Sequence, residues 1–181
     1  MSATINRILL AGFGGQGILF AGKFLASLGL VQEKEVSWLP SYGPEMRGGT
    51  ANCSVILSDE RIGSPIVSAP DILICMNLPA LDKFEPAMAR GGLLFYDSSL
   101  ISRKPERCDI SAFEIPATQI ATDHQMAALA NVVLLGKLLR ETKLCDEMTA
   151  GGVMQNIIPE RKKELLATNL NALSLGFRFA A

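Results

Sequence analysis

The first forty residues limit what this chain can become more than any other part of it. Ile5 to Ala11 (INRILLA) is a short apolar run bounded by glycine, as a buried strand should be. Gly12 to Gly17 (GFGGQG) follows as a glycine turn, and Ile18 to Leu30 then carries helically spaced apolar residues with Gly29 near its end. Glu35 to Leu39 (EVSWL) alternates and is closed by Pro40. Strand, glycine turn, helix and strand in this order spell a βαβ unit, which commits the chain to a parallel sheet with helices packed on it.

The rest of the chain continues the alternation. Thr50 to Ser58 (TANCSVILS) reads as a strand stopped by Asp59 and Glu60, SPIV at 64–67 as a small strand or edge segment, and DILICM at 71–76 as a buried strand. Asn77 and Pro79 open a helix expected to end at Arg90, with Gly91-Gly92 as its stop. Strands are expected at 93–96 and 109–115. Beyond them the chain is helical: a buried helix over 127–140, a short one over 149–157, and one over 160–177 with Leu166, Leu170, Leu173 and Phe177 on one stripe. No repeat, low-complexity tract or linker interrupts this pattern. The expected fold is α/β: a single Rossmann-like domain over 1–181, with a mostly parallel sheet flanked by helices and a helical C-terminal part. Hydrophobic residues at 49% and charged ones at 19% of 181 residues suit a doubly covered sheet. They equally suit a subunit that hides surface against partners.

Several function classes drop out. A net charge of −1 argues against a nucleic-acid binder, which would carry a basic stripe. The opening MSATINRILLAGFGG lacks the pattern of a signal peptide. The longest apolar region, Ala127 to Leu135, is broken by Asn131 and is too short to cross a bilayer, so a cytoplasmic chain without a membrane partner is expected. Cys53, Cys75, Cys108 and Cys145 have no CxxC spacing, and His124 is the one histidine, so no conventional zinc or iron–sulfur site is expected from this chain. Reduced, buried thiols are the reading for the cysteines, and an exposed or cap-adjacent role that for His124.

Ligands of open α/β sheets meet the loops at the carboxyl ends of the strands. Four loops qualify: Gly12–Gly17, Ser41–Gly49, Asn77–Pro79 and Asp97–Ser99. The first matches GxGxxG in the right context, so Gly12, Gly14, Gly15 and Gly17 let the chain turn tightly and present helix N–H groups to an anion. A dinucleotide site also needs an acid at the end of the second strand, and Trp38-Leu39-Pro40-Ser41 supplies none. Gln16 is a bulky amide inside the turn. Dinucleotide binding, close helix–strand packing and contact with an anion or partner all remain open for this loop. In SYGPEMRGG, two φ-fixing prolines and permissive glycines (Gly48 and Gly49 among them) predict an ordered, irregular loop. Glu45 and Arg47 either pair with each other, or Arg47 offers its fork to an outside carboxylate or phosphate while Tyr42 presents a ring and hydroxyl. Asn131, in an apolar helix, needs partners in a loop backbone of its own fold or at the glycine turn.

Together GFGGQGILFAGK (12–23), WLPSYGPEMRGGTANC (38–53), SPIVSAPDILICMN (64–77) and LDKFEP (81–86) resemble the gamma subunit of 2-oxoacid:ferredoxin oxidoreductases, most of all that of the 2-oxoglutarate enzyme. The resemblance implies oxidative decarboxylation of a 2-oxoacid with coenzyme A, electrons passing to ferredoxin or a similar acceptor. It places thiamine diphosphate and Mg between alpha and beta subunits, and iron–sulfur clusters in other subunits, a ferredoxin-like one among them. It implies no cofactor and no catalytic residue in this chain, which is expected to be inactive alone. Related gamma domains serve 2-oxoisovalerate, pyruvate and indolepyruvate enzymes. Gly12, Gly14, Gly15, Gln16, Gly17, Tyr42, Glu45, Arg47, Gly48, Gly49 and Thr50 are expected to pack on the alpha subunit beside the path of coenzyme A or substrate, or only to hold subunits together, with Gln16 bonding partner backbone and Asn77 and Asp97-Ser98 flanking the same edge. An independent nucleotide-binding dehydrogenase and a scaffold protein are the competing readings.

Overall fold

A computed structural model describes residues 4–41 and 50–180. The expected βαβ start is present as strand β1 (Ile5–Phe13), helix α1 (Ile18–Val31) and strand β2 (Glu35–Ser41). There follow β3 (Thr50–Ser58), β4 (Ile72–Cys75), α2 (Leu78–Phe84), β5 (Leu93–Asp97) and β6 (Ser111–Ile115). The helical part comprises α3 (Ala117–Asp123), α4 (Ala130–Thr142), α5 (Glu147–Ile157) and α6 (Leu166–Arg178).

The six strands form one mixed sheet in the order β2-β3-β1-β4-β5-β6. β1, β4, β5 and β6 pair in parallel, whereas β3 is antiparallel to both β1 and β2. β1 and β2 therefore run the same way, as a βαβ unit requires, but the reversed β3 fills the space between them. The mostly parallel character holds with this one insertion.

Local corrections have local causes. Pro40 does not close β2 but lies within it, paired opposite Cys53; this is an edge strand, where a missing N–H costs no ladder bond. Residues 64–67 form no strand. α2 stops at Phe84 and passes into a 3₁₀ turn over Glu85–Ala87, because Pro86 lacks an N–H and its ring collides with the preceding turn. The 160–177 helix likewise divides into a 3₁₀ stretch, Glu160–Leu165, and α6. His124 is exposed at the C-terminal end of α3, its Nδ1 2.9 Å from the Ile120 carbonyl oxygen.

One face of the sheet carries the main core: Ile8, Leu10, Cys53, Val55, Leu57, Ile72 and Ile74 meet Phe24, Leu25 and Leu28 of α1 and the buried side of α4. The opposite face carries a smaller core, where Leu9, Ala11, Leu73, Cys75 and Leu94 meet Ala80 and Leu81 of α2. Glu85, 2% exposed, ties this second layer together. Its Oε1 accepts from the backbone N–H groups of Glu106 (2.5 Å) and Arg107 (2.9 Å), and its Oε2 lies 3.0 Å from Arg103 Nη2. In the C-terminal part, Lys137 is buried; its Nζ donates to Glu141 Oε1 (2.7 Å) and to the Phe179 carbonyl (3.3 Å), while Arg140 Nη1 donates to the carbonyls of Phe177 and Phe179. Two cations on α4 thus satisfy carbonyls at the end of α6 that would otherwise be orphaned.

The cysteines divide between these environments. Cys53 and Cys75 are buried on opposite sides of the sheet, Cys145 is half-buried and Cys108 exposed. Burial pushes the Cys53 thiol up to about 12, Cys75 higher still and Cys145 to about 11. Because the thiolate is the reacting species, iodoacetamide at pH 8 is expected to label Cys108 first and Cys145 slowly, reaching Cys53 and Cys75 only after denaturation. Peptide mass spectrometry over a labelling time course reads this order; early labelling of Cys53 or Cys75 would contradict the packing.

Candidate functional site

All the loops singled out from the sequence reach one edge of the sheet. β1 ends at Phe13, β4 at Cys75, β5 at Asp97 and β2 at Ser41, and the reversed β3 begins there, with Thr50 opposite Phe13 and Asn52 opposite Ser41. Tyr42, Glu45, Arg47, Gly48 and Gly49 lie outside the described residues, as does the Glu45–Arg47 pairing. On either side of them, β2 ends at Ser41 and β3 begins at Thr50.

The glycine turn is built around an amide. Gln16 Oε1 accepts from the Phe13 N–H (2.6 Å) and from Asn77 Nδ2 (3.0 Å), and Gln16 Nε2 donates to the Met76 carbonyl (3.1 Å). Asn77 Oδ1 in turn accepts from the Ala80 N–H at 2.9 Å, capping α2. One side-chain chain of bonds therefore links the turn after β1 to the helix after β4. A Cβ at Gly12 would stand 2.7 Å from Gln16 Oε1 and 2.9 Å from Ile18 Cδ1, so the close approach of this turn needs glycine there. Gly15 and Gly17 supply the left-handed conformation, at φ 92° and 75°. Gln16, expected to bond a partner's backbone, instead spends its carbonyl oxygen and one amide hydrogen inside the chain. Asp97 behaves likewise: it is fully buried, its Oδ1 accepting from the Ser99 N–H and its Oδ2 from the Thr118 N–H at the start of α3.

The same geometry bears on dinucleotide binding. With β3 between β1 and β2, the end of β2 lies two strand spacings, about 10 Å, from the glycine turn. A ribose held at that turn would find no acid on a neighbouring strand.

Two concave features flank the edge. On the α2 side, that helix packs on β1 and β4, and beyond it the β2–β3 side is partly open, with Ile56 and Ser58 buried there. A groove of about 650 Å³ runs there past Leu39, Ser54, Ile66 and Phe84, with Ile66 70% and Leu39 42% exposed. On the α1 side, a second cavity of about 370 Å³ opens behind the glycine turn, between the start of α1, the start of α4 and the 160–165 turn. Asn131 sits in its wall, 5% exposed, and Nδ2 donates to the Gly17 carbonyl at 3.1 Å. Its partner is thus the glycine turn, a loop of its own fold. Arg161 and Lys162 also line this cavity, and the sequence reading passed over them. Their signal was present, since Arg161-Lys162-Lys163 is a run of three basic residues in a chain with few charges.

Ligand chemistry for a metal is not assembled here: among the described residues no three His, Cys, Asp or Glu side chains come together as a metal-binding group. Among the same residues no helix is long and apolar enough to cross a membrane.

Comparison with known proteins agrees with this arrangement. The family model for pyruvate ferredoxin/flavodoxin oxidoreductase matches residues 7–179. Ketoisovalerate oxidoreductase subunit VorA of Methanothermobacter thermautotrophicus is 39% identical over 176 residues, 96% of this chain but 36% of VorA, so the chain spans little more than a third of that relative's length. 2-Oxoglutarate synthase subunit KorC of Methanocaldococcus jannaschii is 38% identical over 178 residues, covering 97% of this chain and 94% of KorC. The crystal structure of a keto/oxoacid ferredoxin oxidoreductase gamma subunit from Geobacter sulfurreducens superposes with a TM-score of 0.82 at 27% identity, over 95% of this chain and 96% of that one. A strand–glycine-turn–helix opening, a reversed third strand and a match over nearly every residue place this chain in the pyruvate ferredoxin/flavodoxin oxidoreductase family.

Proposed function

We propose that this chain is the gamma subunit of a multisubunit 2-oxoglutarate:ferredoxin (acceptor) oxidoreductase, which turns a 2-oxoacid and coenzyme A into acyl-CoA and carbon dioxide. The observation that carries this reading is the glycine edge itself. Gln16 and Asn77 there hydrogen-bond the chain's own backbone and each other, while a mixed groove that exposes Leu39 and Ile66 beside Ser41, Asn52 and Ser54 stands open next to them. Such a surface holds a partner rather than transforms a substrate. Alpha and beta subunits carrying thiamine diphosphate and Mg, and a ferredoxin-like subunit carrying iron–sulfur clusters, supply the chemistry in this reading. The cysteines of this chain do not fit a cluster, since Cys53 and Cys75 face opposite sides of the sheet.

The nearly end-to-end likeness to KorC supports 2-oxoglutarate as the substrate of the complex. The likeness to VorA, at 39% against 38% identity but confined to part of a longer protein, favours ketoisovalerate as the second reading. Pyruvate and indolepyruvate enzymes follow behind these.

Affinity capture of the chain from its native cells tests the proposal, with the recovered material assayed for coenzyme-A-dependent oxidation of 2-oxoglutarate and ketoisovalerate. Larger subunits with 2-oxoglutarate activity are expected, and the chain alone is expected to be inactive. Preference for ketoisovalerate selects the second reading, and a chain recovered without larger subunits overturns both. In the same assay Arg47→Ala is expected to lower the yield of assembled complex several-fold while the isolated chain melts unchanged. A lowered melting temperature would instead assign Arg47 to an internal pair with Glu45.

A further inference from the structure

We propose that residues 102–108, between β5 and β6, form a strap that opens as one unit while the sheet and helices stay folded, with the Glu85 carboxylate as its latch. None of these seven residues is buried. Among the described residues, no backbone N–H or carbonyl group of the strap bonds another backbone group. A segment without buried side chains or ladder bonds opens at low cost in free energy. Its two ends are held differently. Ile101 is 2% exposed, and its N–H donates to the Asp97 carbonyl at 3.0 Å. At the other end the Asp109 carbonyl accepts from the Gly91 N–H at 2.8 Å. The strap is a short span between two firm hinges.

What holds the span down is charge. Arg103 donates to Asp82 Oδ1 of α2 through Nε (2.9 Å) and Nη2 (2.7 Å), and Lys104 pairs with Glu114 of β6. Arg107 Nη1 donates to the Met88 carbonyl at 2.5 Å. Glu85 alone takes hold of both main chain, at Glu106 and Arg107, and side chain, at Arg103. These anchors differ in exposure. The side chains of Asp82, Lys104 and Glu114 are 56%, 74% and 44% exposed, so water and salt screen their pairs. That of Glu85 is 3% exposed and is screened far less. Because one carboxylate joins Glu106, Arg107 and Arg103, its release frees the whole span at once. Open, the strap uncovers a carboxylate that is otherwise hidden from solvent and from any partner.

Native-state hydrogen exchange of the full chain at neutral pH, read by NMR, tests this. The amides of Glu106 and Arg107 are expected to exchange about tenfold or more faster than those of Leu73 and Ile74 in β4 and Leu94 and Phe95 in β5. Low denaturant should leave their rate unchanged, because opening the strap exposes little surface. Raising salt from about 0.05 M to about 0.5 M is expected to speed their exchange about three- to tenfold, while the β4 and β5 amides move less. Asp82→Asn combined with Glu114→Gln should do the same at low salt, since glutamine still offers the Tyr96 hydroxyl an acceptor. Exchange of Glu106 and Arg107 at the rate of the β4 and β5 amides overturns the strap, because the span would then open only with the whole chain. Rates untouched by both salt and the double variant overturn the role given to charge. Different opening free energies at Glu106 and Arg107 overturn the single latch. The inference does not rest on the subunit reading: its failure would leave the co-purification result untouched.

Discussion

Gly176→Ala is expected to destabilise the chain by about 3 kcal/mol, although alanine is the better helix former. α4 and α6 cross where Gly136 and Gly176 face each other. A Cβ at Gly176 would overlap the Val133 carbonyl and lie 2.9 Å from the Lys137 nitrogen. Both obstacles are backbone atoms of α4, whose Val132, Val133 and Leu134 are fully buried against the sheet. Neither side can yield without opening the main core. Gly136→Ala meets the Leu173 carbonyl and, at 2.8 Å, the Phe177 nitrogen, and should cost a similar amount. Gly152→Ala is the control: it lies in α5 with nothing within 4 Å of its added Cβ, so it should stabilise by about 0.5–1 kcal/mol. Denaturant midpoints at constant slope read all three changes. Equal effects at Gly176 and Gly152 would mean that the helix crossing is looser than its backbone contacts require.

The second large effect belongs to Glu85, whose replacement by alanine is expected to cost about 3 kcal/mol. The loss would strand two backbone N–H groups, of Glu106 and Arg107, and remove one of two carboxylates that hold Arg103. Arg103 retains Asp82, 2.7 Å away, which limits the penalty on its side of the pair. Glu85→Gln keeps the acceptor for the two N–H groups and gives up only the charge, so about 1 kcal/mol is expected. Hydrogen exchange at Glu106 and Arg107 distinguishes the two variants. Fast exchange in the alanine variant with near-native protection in the glutamine variant is the expected outcome, and equal exchange in both would show that the charge, not the acceptor, anchors this loop.

Neither effect can be seen in the local pattern of residues. Glu85 lies in LDKFEP, within the stretch expected to run as one helix to Arg90, and it becomes buried because the 103–109 segment folds back over it. Gln16 looked misplaced in a glycine turn intended for an anion. It proved to be the turn's own fastener, since one amide can serve the Phe13 N–H, the Met76 carbonyl and Asn77 together. Of the twelve residues assigned to partner- or anion-binding loops, Gly12, Gly15, Gln16, Gly17 and Asn77 meet at one corner of the sheet, and Thr50 starts the strand beside it. Lys23, Arg161 and Lys162 were not among them, because residues from two distant helical segments form a cavity only after α1, α4 and the 160–165 turn have packed.

What the amino-acid sequence determined by itself was everything set by short-range physics. Apolar period separated strands from helices, glycines marked where φ must turn positive at Gly15 and Gly17, and Asn77 announced the helix it caps. Even the edge at which the loops gather followed from the alternation of strand and helix. Only the tertiary structure decided the order of strands, because β3 pairs antiparallel with β1 through a register that no local pattern encodes. It likewise decided that Asn131 meets Gly17, and that the two glycines of α4 and α6 meet each other. These contacts join residues far apart in the chain, and their energies depend on which surfaces arrive within a few ångströms. Spacing along the chain carries information about which face a residue occupies, and none about what the opposite face will be.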